Sequence, residues 1–168
     1  FTPVCTTELG RTAALKDEFD KRNVKAIAVS VDGVESHNAW AGDIKDVSGS
    51  ELNFPIIGDE SREVSLAYDM IHPGEGDTST VRSVFIIDPN NKVRLTLTYP
   101  KSVGRNFDEI VRVIDALQLT DKVSVSTPVD WTPGSRVIVA PTISTEAAKE
   151  KFPAGWKTLK PYLRLVAQ

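Results

Sequence analysis

The chain is poor in the residues that most often build metal and redox sites. Its 168 residues include one cysteine, one methionine and two histidines. A single cysteine, Cys5, excludes an internal disulfide, a Cys-x-x-Cys redox pair and a thiolate zinc cluster. Any disulfide partner of Cys5 must therefore come from another molecule. Two histidines are too few for most metal sites, so we expect His37 and His72 to be surface or helical residues and no metal to bind.

Long apolar runs and an excess of one charge are also absent. No apolar run approaches the roughly 20 residues that a membrane-spanning helix requires. The formal net charge is −3, with basic residues interleaved among acidic ones, so nothing indicates a nucleic-acid partner. The sequence shows no basic-then-apolar leader, which predicts a cytoplasmic location. With 40% hydrophobic residues, the chain can bury a core.

Hydrophobic periodicity predicts alternating helices and strands over the first 120 residues. A helix follows Cys5, is capped by Thr6 or Thr7, and ends near Asn23. The other predicted elements are, in chain order, a strand at 25–32, a helix at 36–47, a strand at 54–57, a helix at 61–70, a hairpin of strands at 81–87 and 93–99, and a helix capped by Asn106. This order mixes parallel crossovers with an antiparallel edge. It predicts an α/β fold of three layers around a central mixed sheet.

The character of the sequence changes after Thr120. Prolines become frequent, and only one strand, at 135–140, and one short helix, at 145–151, are predicted. We therefore interpret residues 1–120 as one domain and residues 121–168 as a small second domain.

Cys5 lies just before the predicted helix, where a thiolate is favoured. Free backbone N–H groups and the positive end of the helix dipole stabilise negative charge at that position. Thr2 is placed to hydrogen-bond the sulfur or to orient a bound substrate. Pro3 fixes the local backbone and removes one competing donor. The alternative is an inert core cysteine, because free cysteine is among the most buried residue types.

The first ten residues, FTPVCTTELG, resemble the active-site segment of the peroxiredoxins. In that family a Thr or Ser precedes the peroxidatic cysteine by three positions, as Thr2 precedes Cys5. The resemblance continues through RNVKAIAVSVD, FPIIGD, VRSVFIID, YPKSVGRNFDEIVRVIDALQL and TPVDW, and so covers nearly the whole chain. The segments TPVDWTPGSRVIV and FPAGWKTLKPYLR, together with the single cysteine, are similar to the one-cysteine, peroxiredoxin-six type subfamily.

This resemblance implies both a fold and a reaction. The fold is thioredoxin-like, with a peroxidase domain at 1–120 whose N-terminal part lies upstream of Phe1. A dimer-associated one-cysteine peroxiredoxin domain follows at 121–168. The reaction is the reduction of hydrogen peroxide and of organic or lipid hydroperoxides through a sulfenic acid on Cys5. An external thiol such as glutathione, or a thiol-transfer protein, restores the cysteine, and no cofactor is needed.

The resemblance also implies two arginines at the site. Arg82 matches a family arginine on a strand, and its fixed fork of donors can hold a thiolate while contacting the peroxide. The alternative is a strand-edge arginine whose stem packs on the surface. Arg105 matches a second family arginine near the site, with local helix capping as the alternative.

The expected oligomeric state follows from the strand at 93–99 and from the resemblance. The strand at 93–99 has one polar face and suits a sheet edge, and the resembled subfamily dimerises, so we expect a homodimer. The alternative function is a non-catalytic redox sensor or a chaperone-like protein. Some subfamily members are credited with phospholipase activity, whose aspartate would match a position nearest Asn90, with Asp88 as the local acid. The sequence leaves that activity open.

Overall fold

The computed structural model describes residues 1–77 and 79–168, apart from the side chain of Glu75. The described residues divide into two compact units, Phe1–Phe107 and Asp108–Gln168. The domain boundary near residue 120 stays a prediction. The first unit contains, in chain order, α1 (Pro3–Ala14), α2 (Lys16–Lys21), β1 (Ala28–Ser30), α3 (Val34–Ser48), β2 (Ile56–Gly58), α4 (Glu63–Ala67), a 3₁₀ turn (Pro73–Glu75), β3 (Arg82–Ile87) and β4 (Val93–Tyr99).

The helix predicted to end near Asn23 is divided at Leu15 into α1 and α2, and the other elements predicted for the first unit occur, several of them shorter than predicted. The strand predicted at 25–32 is reduced to the three residues of β1, and the helix predicted at 61–70 to the five residues of α4. Strand β1 pairs in parallel with β2, and β3 pairs antiparallel with β4. Within the described residues these strands form two separate ladders, one of each orientation.

Helix α1 begins before Cys5, which corrects the prediction that it begins after it. Thr2 is the N-cap residue, with φ −127° and ψ 142°, and Pro3 is the first helical residue. Proline suits this position because its φ is preset for the helix and its missing N–H would have no helical partner. Thr6 and Thr7, which were predicted as caps, lie inside the helix and donate to carbonyls of the preceding turn at 2.7 and 2.6 Å. Cys5 is thereby the third residue of the helix.

Helix α1 packs closely against α3. At Gly10 the two helices approach so closely that a Cβ would lie 2.3 Å from the Cβ of Ser48. Nearer the helix start, Nε1 of Trp40 donates to Oγ1 of Thr6 at 2.9 Å. Trp40 is buried, whereas its neighbour Ala39 is exposed. These contacts fix the helix that carries Cys5.

The β3–β4 hairpin confirms both predicted strands. Its ladder opens with Arg82 opposite Tyr99, which places Arg82 at the end of the hairpin away from the turn. Inside the turn, the carboxylate of Asp88 accepts the backbone N–H groups of Asn90 and Lys92 at 2.8 and 3.0 Å. Asp88 therefore closes the turn, which accounts for an acid at this position without a catalytic role.

The second unit is built from helix α5 and a four-stranded antiparallel sheet. Its elements are α5 (Phe107–Lys122), β5 (Val125–Ser126), β6 (Val137–Val139), α6 (Thr145–Lys151), β7 (Lys157–Lys160) and β8 (Leu163–Val166), with strand order β5-β6-β8-β7. Helix α5 starts directly after Asn106, and α6 has the predicted bounds. A buried cluster that includes Trp131, 2% exposed, forms the core of this unit. None of the described helices combines the length and apolarity needed to cross a bilayer.

Candidate active site

Cys5 lies in the first turn of α1, where two backbone N–H groups have no partner among the described residues. It is half-buried and carries a free thiol. Thr2 makes no side-chain cap hydrogen bond, and no group in the described part of the chain accepts the N–H of Val4 or of Cys5. The first turn therefore presents two N–H donors together with the positive end of the helix dipole. This environment stabilises an anion at or beside the sulfur.

Arg82 brings a permanent cation to the sulfur. Its Nη1 lies 3.2 Å from Sγ of Cys5 and 2.9 Å from Oε2 of Glu8, and its Nε donates to the carbonyl of Lys101 at 2.7 Å. Burial disfavours the charged form, but the contacts to Cys5 and Glu8 outweigh it and raise the pKa of Arg82. No described residue accepts from Nη2 of this guanidinium, so two of its N–H donors remain for a substrate.

Glu8 links both arginines of the site and was missed by the sequence analysis. Its Oε2 accepts from Nη1 of Arg82 at 2.9 Å and from Nη2 of Arg105 at 2.8 Å. Burial works against ionisation of this carboxyl, which is 6% exposed, but Arg105 above all, and then Arg82, outweigh it and lower its pKa. The sequence signal that could have identified Glu8 is its spacing from Cys5, because a residue three positions along a helix lies on the same face.

Arg105 lies beside the site without touching the sulfur. Its backbone N–H and Nε donate to Oε1 of Glu8 at 2.8 and 3.1 Å, and its Nη1 donates to the carbonyl of Ser83 at 3.0 Å. Among the described residues it forms no hydrogen bond with Cys5. Arg105 therefore holds Glu8, which in turn holds Arg82.

Thr2 and Pro3 occupy the first positions of α1. Thr2 is the N-cap residue and Cys5 is at the N3 position, two positions whose side chains face one another in capped helices. The carbonyl of Thr2 accepts the N–H and the hydroxyl of Thr6 at 3.0 and 2.7 Å. Its own hydroxyl has no hydrogen-bond partner among the described residues and makes no contact of that kind with Sγ. The structure thus brings Thr2 to the site with a free hydroxyl.

The histidines and the acidic groups do not form a metal site. No three His, Cys, Asp or Glu side chains of residues 1–77 and 79–168 come together in a group that could hold an ion. His37 is buried in α3, 5% exposed, and neither ring nitrogen has a partner in this part of the chain. Nε2 of His72 lies 3.1 Å from the carbonyl of Asp69. Neither histidine contacts Cys5 by a described hydrogen bond.

Two family models match this chain. The model of the AhpC/TSA family matches residues 1–96, and the model of the C-terminal domain of 1-Cys peroxiredoxin matches residues 116–155. A 1-Cys peroxiredoxin of Dictyostelium discoideum is 51% identical, over 100% of this chain and 70% of that protein. A mitochondrial peroxiredoxin of Saccharomyces cerevisiae is 53% identical, over 98% and 65%. Peroxiredoxin-6 of Mus musculus is 50% identical, over 100% and 81%.

Solved structures resemble the chain over its full length. A yeast mitochondrial 1-Cys peroxiredoxin, whose thiol is resolved via glutathione/thioredoxin systems, matches with a TM-score of 0.94 and 52% identity, over 100% of this chain and 82% of that one. A variant of peroxiredoxin 6 from Arenicola marina matches with a TM-score of 0.93 and 46% identity, over 100% and 81%. These likenesses confirm the predicted thioredoxin-like α/β fold with its appended C-terminal domain.

Proposed function

The chain belongs to the AhpC/TSA family as a one-cysteine peroxiredoxin, a thiol peroxidase, and on that premise we propose that Cys5 is its peroxidatic nucleophile. The observation that carries the proposal is the 3.2 Å contact between Nη1 of Arg82 and Sγ of Cys5. Arginine keeps its proton throughout the accessible pH range, and a charge-assisted donor stabilises the thiolate, which is the nucleophilic form.

The proposed reaction is a displacement at oxygen. The thiolate of Cys5 attacks the terminal oxygen of a hydroperoxide, an S–O bond forms and the O–O bond breaks. The leaving oxygen takes up a proton as water or an alcohol, and Cys5 becomes a sulfenic acid. Charge develops along the breaking bond, and in this proposal the N–H groups of the first turn, the free Nη2 of Arg82 and the hydroxyl of Thr2 stabilise it.

The other site residues have positioning roles in this proposal. Pro3 starts the helix so that Cys5 stands at N3, in reach of the free N–H groups. Arg105 and Glu8 hold Arg82 by a chain of ionic hydrogen bonds, so the guanidinium is fixed before the substrate arrives. Donors that are already oriented need no reorganisation as the charge develops.

We also propose an external thiol as the reductant, because the chain has one cysteine. A small thiol such as glutathione attacks the sulfenic sulfur, water leaves, and a mixed disulfide forms. A second thiol, free or on a thiol-transfer protein, then releases Cys5 as a thiol. The yeast relative, whose thiol is resolved via glutathione/thioredoxin systems, supports this proposal. Excess peroxide instead carries the sulfenic acid on to the sulfinic and sulfonic acids.

The proposed function also covers the range of peroxide substrates and the cellular location of the protein. The nucleophile needs only an accessible O–O bond, so we propose that hydrogen peroxide and organic or lipid hydroperoxides are reduced, in antioxidant defence. The cytoplasmic location stays a prediction, and one relative is mitochondrial by name.

We propose a homodimer as the assembly. In the described residues β4 pairs with β3 alone and so presents an open edge, and Val93 at its start is exposed. Light scattering at micromolar concentration should give twice the chain mass, and a monomer under the same conditions would contradict the proposal.

Trapping the intermediates tests the proposed function. The protein is given one equivalent of hydrogen peroxide, then a sulfenic-acid reagent or glutathione, and intact mass is recorded. We expect one sulfenic adduct or one mixed glutathione disulfide on Cys5, and sustained peroxide consumption with excess glutathione. A stable mixed disulfide with a partner protein, without turnover, would favour the redox-sensor alternative.

A further inference from the structure

The turn after β4 holds a contact to Arg82 that the proposed function does not explain. The N–H of Val103 donates to the carbonyl of Pro100 at 3.0 Å, which closes a four-residue turn with Lys101 and Ser102 in its middle. The carbonyl of Lys101 accepts Nε of Arg82 at 2.7 Å. The group that orients one edge of the guanidinium is therefore the middle peptide of a turn.

The middle peptide is the group that distinguishes the common turn types. Between type I and type II turns this peptide rotates by roughly half a revolution while the ends of the turn stay in place. Type II needs a positive φ at the third residue, here Ser102, and Ser102 does not have one. Rotation of the peptide is thus opposed by Ser102 itself, but a displacement of the turn would still move the acceptor away from Arg82.

The side chain of Lys101 is anchored at the same time. Its Nζ lies 2.6 Å from Oδ1 of Asp77, which also accepts the N–H and hydroxyl of Ser79 at 2.9 and 2.6 Å. Donation from Lys101 is the largest cause that lowers the pKa of Asp77, so the carboxylate is ionised at neutral pH. The side chain and carbonyl of Lys101 share one Cα. Anchoring the side chain therefore limits displacement of this Cα, and with it of the carbonyl bonded to it.

We propose that the Lys101–Asp77 ion pair is a positioning device for Arg82. The pair holds Lys101 in place, and with it the carbonyl that accepts Nε of Arg82 and so fixes the guanidinium against Sγ of Cys5. Both are positioning residues, since neither forms a described hydrogen bond with the sulfur. The inference rests on the proposed role of Arg82 at the thiolate.

The exposure of the Lys101–Asp77 pair determines how strongly its loss should slow the oxidation of Cys5. The side chains of Lys101 and Asp77 are 28% and 61% exposed. Such pairs contribute little in water, so we expect their loss to slow the reaction of Cys5 with hydrogen peroxide by about two- to fivefold. Salt should slow the wild-type protein more than a variant without the pair, because hydrogen peroxide is neutral and only the protein's own charges are screened.

Stopped-flow kinetics with matched variants test the proposal. The variants are Lys101→Met, Asp77→Asn and the double variant, and Lys45→Met is the control, because Lys45 forms a similarly short, exposed pair with Glu51 at 2.6 Å. We expect Cys5 to be oxidised more slowly in both single variants than in wild type. The double variant should be no slower than Lys101→Met, because either single substitution already removes the interaction between the two side chains. Lys45→Met should react at the wild-type rate.

A spectroscopic readout separates positioning from a loss of stability. The Nε–H resonance of Arg82 should shift and its exchange with water should quicken in Lys101→Met, but not in Lys45→Met. A Lys101→Met rate equal to that of the control, or an unchanged Arg82 resonance, overturns the proposal. If wild-type Cys5 reacts no faster than free cysteine, the proposed function itself fails, and that outcome is distinguishable from failure of the Lys101–Asp77 pair alone.

Discussion

At the scale of single residues, the site depends on one buried carboxylate that composition does not reveal. Cys5, Thr2 and Arg82 could be proposed as site residues from the sequence because they match positions of a family motif. Glu8 could not, because a glutamate in an early helical turn ordinarily interacts with the helix dipole in solvent. Its partner Arg105 stands 97 positions along the chain, so only the fold shows that the two meet.

Glu8→Gln removes the charge that holds both arginines and keeps the shape of the side chain. We expect a loss of about 3–5 kcal/mol in unfolding free energy, because two cations are left facing a neutral amide in a buried place. We also expect a fall of about tenfold or more in the rate of Cys5 oxidation as Arg82 loses its orientation. Urea unfolding and stopped-flow kinetics measure the two effects.

Glu18→Gln is the matched control, since Glu18 pairs with Lys21 and Arg22 at the surface of α2. Neither the unfolding midpoint nor the oxidation rate should change appreciably. Equal effects of the two substitutions would show that Glu8 has no special place in the site.

The lowered pKa of Glu8 predicts a pH dependence of stability. Because the native carboxyl titrates below its ordinary value near 4.3, the native state binds this proton less readily than the unfolded chain. The stabilisation is complete above about pH 5 and is lost as the pH falls through the native pKa. Urea midpoints measured down this range should fall more steeply for wild type than for Glu8→Gln. Asp59 and Asp88, whose pKa values are also lowered, are present in both proteins. Parallel curves would contradict the assignment.

At the scale of elements, the helices and strands that were predicted best are those with the clearest local sequence pattern. The hairpin of β3 and β4 was predicted well, because β3 is rich in β-branched and aromatic residues, β4 alternates apolar and polar residues, and the turn between them contains Pro and two Asn. The start of α1 was misplaced, because Thr6 and Thr7 offer cap-like side chains while Thr2 and Pro3 offer the true start. A proline at N1 was the stronger signal, since its φ is preset for a helix.

The contact between α1 and α3 gives a prediction for Gly10. In Gly10→Ala the new Cβ would lie 2.3 Å from the Cβ of Ser48, so a helix must shift. We expect a loss of about 1–3 kcal/mol, the usual cost of overpacking. In Gly42→Ala, on α3, the new Cβ meets nothing within 4 Å. That variant should be neutral or gain up to about 1 kcal/mol in helix propensity. Thermal or urea unfolding of both variants measures this difference in stability. A Gly10→Ala variant as stable as wild type would contradict the prediction.

At the scale of the whole molecule, the second unit was the harder part to predict. The higher proline content after Thr120 indicated a second domain. The sequence pattern predicted α6 and β6, but it did not predict β5, β7 or β8. Strand β7 is exposed along its whole length, so no alternation of apolar and polar residues marks it. These short strands are defined by their pairing with neighbours, which a local pattern does not show.

Trp131 gives a prediction for that unit. It is 2% exposed in the core cluster and its carbonyl accepts Nη1 of Arg112 at 3.1 Å. Trp131→Ala should lose about 3–5 kcal/mol through the cavity it leaves. Val129→Ala, at a side chain 88% exposed, should stay within about 0.5 kcal/mol of wild type. Hydrogen exchange across residues 108–168 reports both effects. Unchanged protection in Trp131→Ala would contradict the core assignment.

The central claim is that Cys5 reacts as a thiolate held by Arg82, and its oxidation rate tests this most directly. Stopped-flow tryptophan fluorescence after a stoichiometric pulse of hydrogen peroxide at neutral pH, with intact mass as the product assay, gives that rate. The account predicts oxidation orders of magnitude faster than for free cysteine, absent in Cys5→Ser and much slower in Arg82→Ala. A wild-type rate no better than that of a free thiol, or an Arg82→Ala rate equal to wild type, would contradict it.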